Sequence, residues 1–130
     1  MKNIALIGAT GSVGEEILNQ LLKIDNLHVN TFTRRNITDV LHSEYDITIC
    51  AAPSSQKLKT NLELDNSDKD IEELCRIIKE IKTNRFILVS SQSVIYEAEK
   101  LYGKIQKKVL DSVLVHHSNH TVYLVDTLYG

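Results

Sequence analysis

The sequence predicts a doubly wound α/β domain: a parallel sheet of about five strands with helices on both faces. Short apolar runs alternate with amphipathic segments along the chain, and the runs are apolar on both sides instead of alternating with polar residues. The first run ends in a glycine-rich turn that leads straight into a helical pattern. Right-handed crossovers and the order 2-1-3-4-5 are expected for the five strands.

The elements follow in order. "NIALIG" reads as a buried first strand, and residues 12–23 place Val13, Ile17, Leu18, Leu21 and Leu22 on one helical face. "HVNTFTR" is the second strand, "ITDVLHSEY" a short helix, and "DITICAAP" a third strand ended by Pro53. Residues 53–66 are polar and irregular. Ile71, Leu74, Cys75, Ile78 and Ile81 mark the next amphipathic helix, in which Cys75 is expected in the core. "RFILVSS" is the fourth strand, residues 99–113 a helix, and "HTVYLVD" a fifth strand that should bury Tyr123 and Leu124.

At 130 residues the chain is read as one domain, residues 1–130, with no repeat and no low-complexity linker. Its 42% hydrophobic and 25% charged residues are ordinary for a globular protein. A net charge of -2 argues against a general nucleic-acid binder. Cys50 and Cys75 both sit in apolar patterns, which suits buried thiols in a reducing compartment better than a disulfide framework. The start "MKNIALIG" is too short an apolar run for a signal peptide, and no stretch reaches the roughly 18 apolar residues of a membrane span. A cytoplasmic protein with no membrane partner is expected.

Gly8, Gly11 and Gly14 stand between a strand and a helix, at the sheet edge where doubly wound folds bind ligands. Gly8 permits the sharp turn out of the strand. Gly11 leaves room for a pyrophosphate to approach the backbone, and Gly14 lets helix and strand pack closely. Ser12 and Glu15 form a capping-box pattern, so the helix should begin at Ser12 with its amides facing the phosphate. Thr10, Ser12 and Val13 complete this loop. A tight turn with no ligand is the structural alternative.

The end of the second strand, "NTFTRRN", holds no acid between Asn30 and Asn36 for a ribose 2′-hydroxyl. Arg34 and Arg35 offer guanidinium forks suited to a 2′-phosphate, so NADP(H) is expected in preference to NAD(H). Two solvated arginines are the alternative.

"GATGSVG" resembles the opening of the extended and atypical short-chain dehydrogenase/reductases, and three later stretches fit that family in order. "CAAPSS", with Ala51, Ala52 and Pro53, resembles its segment beside the adenosine and nicotinamide ribose. "FILVSSQSVIY" resembles the strand with the catalytic hydroxyl, and "LYGKIQKKVLD" the helix with the catalytic tyrosine; "VYLVDTLYG" resembles a later strand. The resemblance implies a Rossmann-like domain of the epimerase and reductase branch, with Tyr102 as acid/base and Ser91 or Ser93 holding the substrate oxygen. It implies a sugar nucleotide as the small-molecule substrate. The opening alone also resembles aspartate-semialdehyde dehydrogenases, which lack the later segments.

The departures are specific. The family's lysine, four residues after the tyrosine, is Gln106 here, and Gln92 takes the usual place of the catalytic hydroxyl. Bringing a tyrosine from a pKa of about 10 to near 7 takes roughly 4 kcal/mol of preferential stabilisation, which a neutral amide does not supply. No counterpart is expected for the family's strand between Arg35 and Asp46 or for its C-terminal substrate region. Three readings therefore stand: an NADP(H)-dependent oxidoreductase or epimerase, a dinucleotide-binding module without turnover, and a truncated family member. Self-association through the last strand, or through the helices at 71–82 and 99–113, would hide the remaining apolar surface.

His116, His117 and His120 form an H-H-x-x-H cluster without the glutamate of a zinc-protease helix, and are read as a solvated loop with no metal. The acidic run "DNSDKDIEE" lacks the spacing of a Ca²⁺ loop and suits a helix start. Tyr96 reads equally as a nicotinamide neighbour or a strand-end aromatic.

Overall fold

The apolar runs become five parallel strands. The computed structural model describes residues 2–9, 12–33, 35–51, 66–91 and 101–125. β1 (Lys2–Ile7) leads to α1 (Ser12–Leu21), β2 (Leu27–Phe32) and a short 3-10 helix (Ile37–His42). β3 (Glu44–Cys50), α2 (Asn66–Glu80), β4 (Lys82–Ser91), α3 (Leu101–His116) and β5 (His120–Val125) follow. The order across the sheet is β2-β1-β3-β4-β5, every pair parallel, as the sequence predicts.

Alternate residues of β1 feed two cores. Ile4 and Leu6 join Ile49 beneath Ile17, Leu18 and Leu21 of α1. Ala5 and Ile7 join Phe32, Phe86 and Leu88 on the other face, under α2 and α3. There α2 contributes Ile71, Leu74, Ile77 and Ile78, and α3 contributes Val109 and Val113. The 3-10 helix adds the fully buried Val40 to the same cluster. Each such buried branched side chain contributes about 1.5–3 kcal/mol. The outer face of α2 is charged instead: Arg76 reaches Glu73 at 2.7 Å and Glu80 at 2.9 Å. The guanidinium's hydrogen bond holds the Glu73 carboxyl below its ordinary range.

Four details correct the sequence reading. β3 starts at Glu44, so Glu44 and Tyr45 belong to a strand and not to the preceding helix. Ser43 is already extended (φ -139, ψ 169), and buried Tyr45 packs edge-on against Phe32 at 6.2 Å. Burial pushes the Tyr45 phenol above its ordinary pKa. Leu22 lies beyond α1 and is 68% exposed, because Lys23 and Ile24 donate to the carbonyls three residues back and tighten the last turn. Tyr123 is 56% exposed: Val122 turns to the core of α2 and α3, so the next side chain on this edge strand faces the other way. Cys75 is half-buried between α2 and α3, where Ser112 donates to its carbonyl at 3.4 Å. Burial raises its thiol pKa, which suits packing and not a nucleophile.

His117 and His120 are structural ties and not a solvated loop, whereas His116 is exposed at the end of α3. His117 stacks on Phe86 with centroids 4.7 Å apart, and its Nε2 lies 2.6 Å from the Ile78 carbonyl. A carbonyl only accepts, so Nε2 carries the proton. His120 Nδ1 donates likewise to the His117 carbonyl at 2.6 Å. Among the described residues no group of three His, Cys, Asp or Glu could hold a metal.

Thr48 is fully buried on β3, and among the described residues its hydroxyl has no hydrogen-bond partner. An orphaned hydroxyl costs about 1–3 kcal/mol, whereas an apolar group of the same shape carries no such penalty. Thr48→Val is therefore expected to raise the urea midpoint by about 1 kcal/mol of stability. A lowered midpoint would show that the hydroxyl has a partner.

Candidate functional site

All five strands point their carboxyl ends the same way, so the ends of β1, β2 and β3 form one edge. The Gly8 amide donates to the Phe32 carbonyl and the Ala51 amide to the Ile7 carbonyl, each at 2.9 Å. These bonds extend the sheet pairing one residue beyond the strands. Gly8 then adopts φ 86, a left-handed conformation that costs an L-residue about 1–2 kcal/mol. The chain turns through buried Ala9, and α1 begins at Ser12, as the capping-box pattern predicts.

Gly14 closes the turn. A Cβ there would stand 1.8 Å from the Gly8 carbonyl oxygen and 3.1 Å from the Ala9 Cα. The first turn of α1 thus lies directly on the backbone leaving β1. Ala51 follows β3 beside this turn, 7% exposed. Half-buried Val13 stands in the same helical turn.

At the end of β2 the exposed Arg35 follows Thr33, and among the described residues no carboxylate pairs with its guanidinium. Ser91 ends β4, and Tyr102 and Gln106 lie one turn apart at the start of α3. Helix α3 runs antiparallel to the strands, so its amino end belongs to the same edge. Thr10, Gly11, Arg34, Ala52, Pro53, Gln92, Ser93 and Tyr96 lie outside the described residues.

Sequence reasoning missed the residues that tie the opposite, amino edge. Asn3 receives Asn30 Nδ2 at 2.7 Å on its Oδ1 and donates its amide to Asp46 Oδ2 at 2.7 Å. Asn3 Nδ2 also donates to the Glu44 carbonyl at 2.8 Å. A polar cavity of about 600 Å³ opens at that edge, lined by Glu44, Asp46, Lys79, Lys82, His116 and His117 among others. It lies at the end of the sheet remote from the glycine turn. No local sequence signal joins Asn3, Asn30, Glu44 and Asp46, because they come from three separate strands.

No family model and no curated protein matches the sequence. Solved structures do. A UDP-glucuronic acid 4-epimerase from Bacillus cereus, in complex with NAD, has a TM-score of 0.65 at 18% identity. The match covers 95% of this chain and 55% of that one. The capsular polysaccharide assembling protein CapF from Staphylococcus aureus has a TM-score of 0.60 at 19% identity, over 94% of this chain and 33% of its own. Pen from Bacillus thuringiensis has a TM-score of 0.62 at 18% identity, over 96% and 49% respectively. The chain has a Rossmann-like fold. It spans between a third and about half of these three longer chains.

In a Rossmann-like sheet the ligand crevice opens where the strand order reverses, at the carboxyl ends. Here that point lies between β1 and β3, where Gly8 and Ala51 stand. Among the described residues no helix is long and apolar enough to cross a membrane.

The Gly14 contact has a direct consequence. Gly14→Ala forces a methyl group onto a backbone oxygen and is expected to cost about 1–3 kcal/mol in urea denaturation. An unchanged midpoint would mean that α1 moves away from β1 without penalty.

Proposed function

We propose that this domain binds a nicotinamide dinucleotide across the carboxyl edge of β1, β2 and β3. The single observation that carries the reading is the glycine turn at the switch point of the sheet, where left-handed Gly8 leads directly into α1 and Gly14 lets the first helical turn rest on the Gly8 backbone. Close packing of α1 on β1 accounts for Gly14 by itself. The left-handed Gly8 and the start of α1 at that turn are what a pyrophosphate needs in addition. The epimerase with the same fold, crystallised with NAD, supports the reading.

In this proposal Gly8, Thr10, Gly11, Ser12, Val13 and Gly14 surround the pyrophosphate, and Ala51, Ala52 and Pro53 border the adenosine and nicotinamide ribose. Arg34 and Arg35 take a 2′-phosphate, which sets NADP(H) above NAD(H). Two cysteines without a disulfide pattern suit a cytoplasmic location. The nicotinamide, when bound, supplies hydride chemistry at a carbinol or carbonyl carbon. Tyr102 would hold or release the proton at its phenol oxygen, and Ser91 or Ser93 would hydrogen-bond the substrate oxygen. A sugar nucleotide is the substrate class, supported by the resemblance and by the epimerase neighbour.

Calorimetric titration of the purified chain tests the binding step. Micromolar or tighter NADPH binding is expected, with NADH at least about tenfold weaker, or 1.4 kcal/mol. Equal affinities would remove the role of the arginines, and binding of neither would leave the glycines as a structural turn.

A second reading, a dinucleotide-binding module without turnover, is favoured by Gln106 and Gln92. A lysine at position 106 would stand one helical turn from Tyr102 and favour its phenolate. Gln106→Lys is expected to create NADPH-dependent carbonyl reduction where the native chain shows none. Turnover by the native chain would instead show that the lysine is dispensable and overturn the module reading.

A further inference from the structure

The turn between β2 and the 3-10 helix uses its polar groups in an unexpected direction. Asn36 is the N-cap of that helix, where an asparagine ordinarily bonds forward to the first helical amides. It makes no such bond. Its Oδ1 faces back along the chain and accepts the Thr33 amide at 2.7 Å and the Thr33 hydroxyl at 3.3 Å. Thr33 Oγ1 in turn accepts the Arg35 amide at 3.3 Å. The Asn36 amide donates to the Thr33 carbonyl at 3.2 Å, and the Asn36 carbonyl accepts the Asp39 amide at 3.0 Å.

Two consequences follow for any ligand at this strand end. The amides of Thr33, Arg35 and Asn36 are all engaged inside the turn, so none is open to a phosphate. An amide oxygen has two lone pairs, and both on Asn36 are filled by Thr33, so none is open to a ribose hydroxyl. Among the described residues of the turn, the open side-chain groups are the exposed Arg35 guanidinium and the Asn36 Nδ2, both donors. This arrangement suits an anion and disfavours a neutral hydroxyl.

We infer that Asn36 is a positioning and specificity-determining residue: by closing the turn on Thr33 it presents Arg35 to a 2′-phosphate and withholds an acceptor from a 2′-hydroxyl. The inference rests on the dinucleotide reading above and adds to it a residue that touches no ligand. The bonds Arg35 N–H to Thr33 Oγ1–H to Asn36 Oδ1 run head to tail, so loss of the last acceptor loosens the whole set.

The test is calorimetric titration of NADPH and of NADH against the native chain, Asn36→Ala, Arg35→Ala and the double variant. Asn36→Ala is expected to weaken NADPH about tenfold and NADH less than about threefold, so that the preference collapses. In the Arg35→Ala background it should change NADPH affinity no further. Thr33→Val keeps the side-chain shape, removes the hydroxyl, and should move the ratio the same way; it decides the matter if Asn36→Ala fails to fold. Equal weakening of both nucleotides by Asn36→Ala, with lowered stability, would overturn the inference in favour of a merely structural turn. A ratio that responds to Arg35→Ala but to neither turn variant would overturn it while the NADP(H) reading stands. A native chain that binds neither nucleotide would overturn the dinucleotide reading, and the inference with it.

Discussion

The first turn of α1 rests on the backbone that has just left β1, with the space of one methyl group missing between them. That contact sets how far the helix may stand from the sheet and where its free amides lie. Because Gly8 turns through a left-handed conformation at the same point, the chain reverses within a few residues and not through a long loop. Ile17, Leu18 and Leu21 then fall over Ile4, Leu6 and Ile49, and one of the two cores is built. Position of the helix, closure of that core and the shape of the carboxyl edge are therefore one constraint, carried by two glycines.

Much of this arrangement was legible in the sequence because it rests on local patterns. Strand β1 is apolar on both faces, and its neighbours in sequence carry a helical period, which together dictate a parallel central strand. What the sequence concealed depends on neighbours brought from elsewhere. Tyr45 reads as the tail of a helix until Phe32 of a separate strand is seen against its ring. Tyr123 has the apolar context of a core residue, yet the edge position of β5 decides its exposure. His117 looks like a solvated ligand until Phe86 and the Ile78 carbonyl are placed on it.

The candidate site divides in the same way. Gly8 and Gly14 were readable because backbone sterics leave few uses for glycine at that spacing. The two arginines were readable as charge, but the role of Asn36 was not, since its bonds run against the capping direction that its type predicts. Tyr102 and Gln106 were placed on one helix by the resemblance, and that helix, read as 99–113, runs over Leu101–His116.

The two edges of the sheet differ in how their polar groups are employed. At the amino edge Asn3, Asn30 and Asp46 bond one another across three strands, while His117 and His120 engage the carbonyls where helices end. Side chains there serve the fold, and they pin strands whose ends would otherwise fray. At the carboxyl edge the described bonds of β1, β2 and β3 are made by backbone: Gly8 to Phe32, and Ala51 to Ile7. Among the described residues of this edge, the turn at Thr33 and Asn36 is where side chains bond one another, beside the exposed Arg35. In the proposed site, a polar turn closed on itself beside an exposed cation favours a phosphate over a hydroxyl, because each acceptor that it occupies is one fewer for the uncharged competitor.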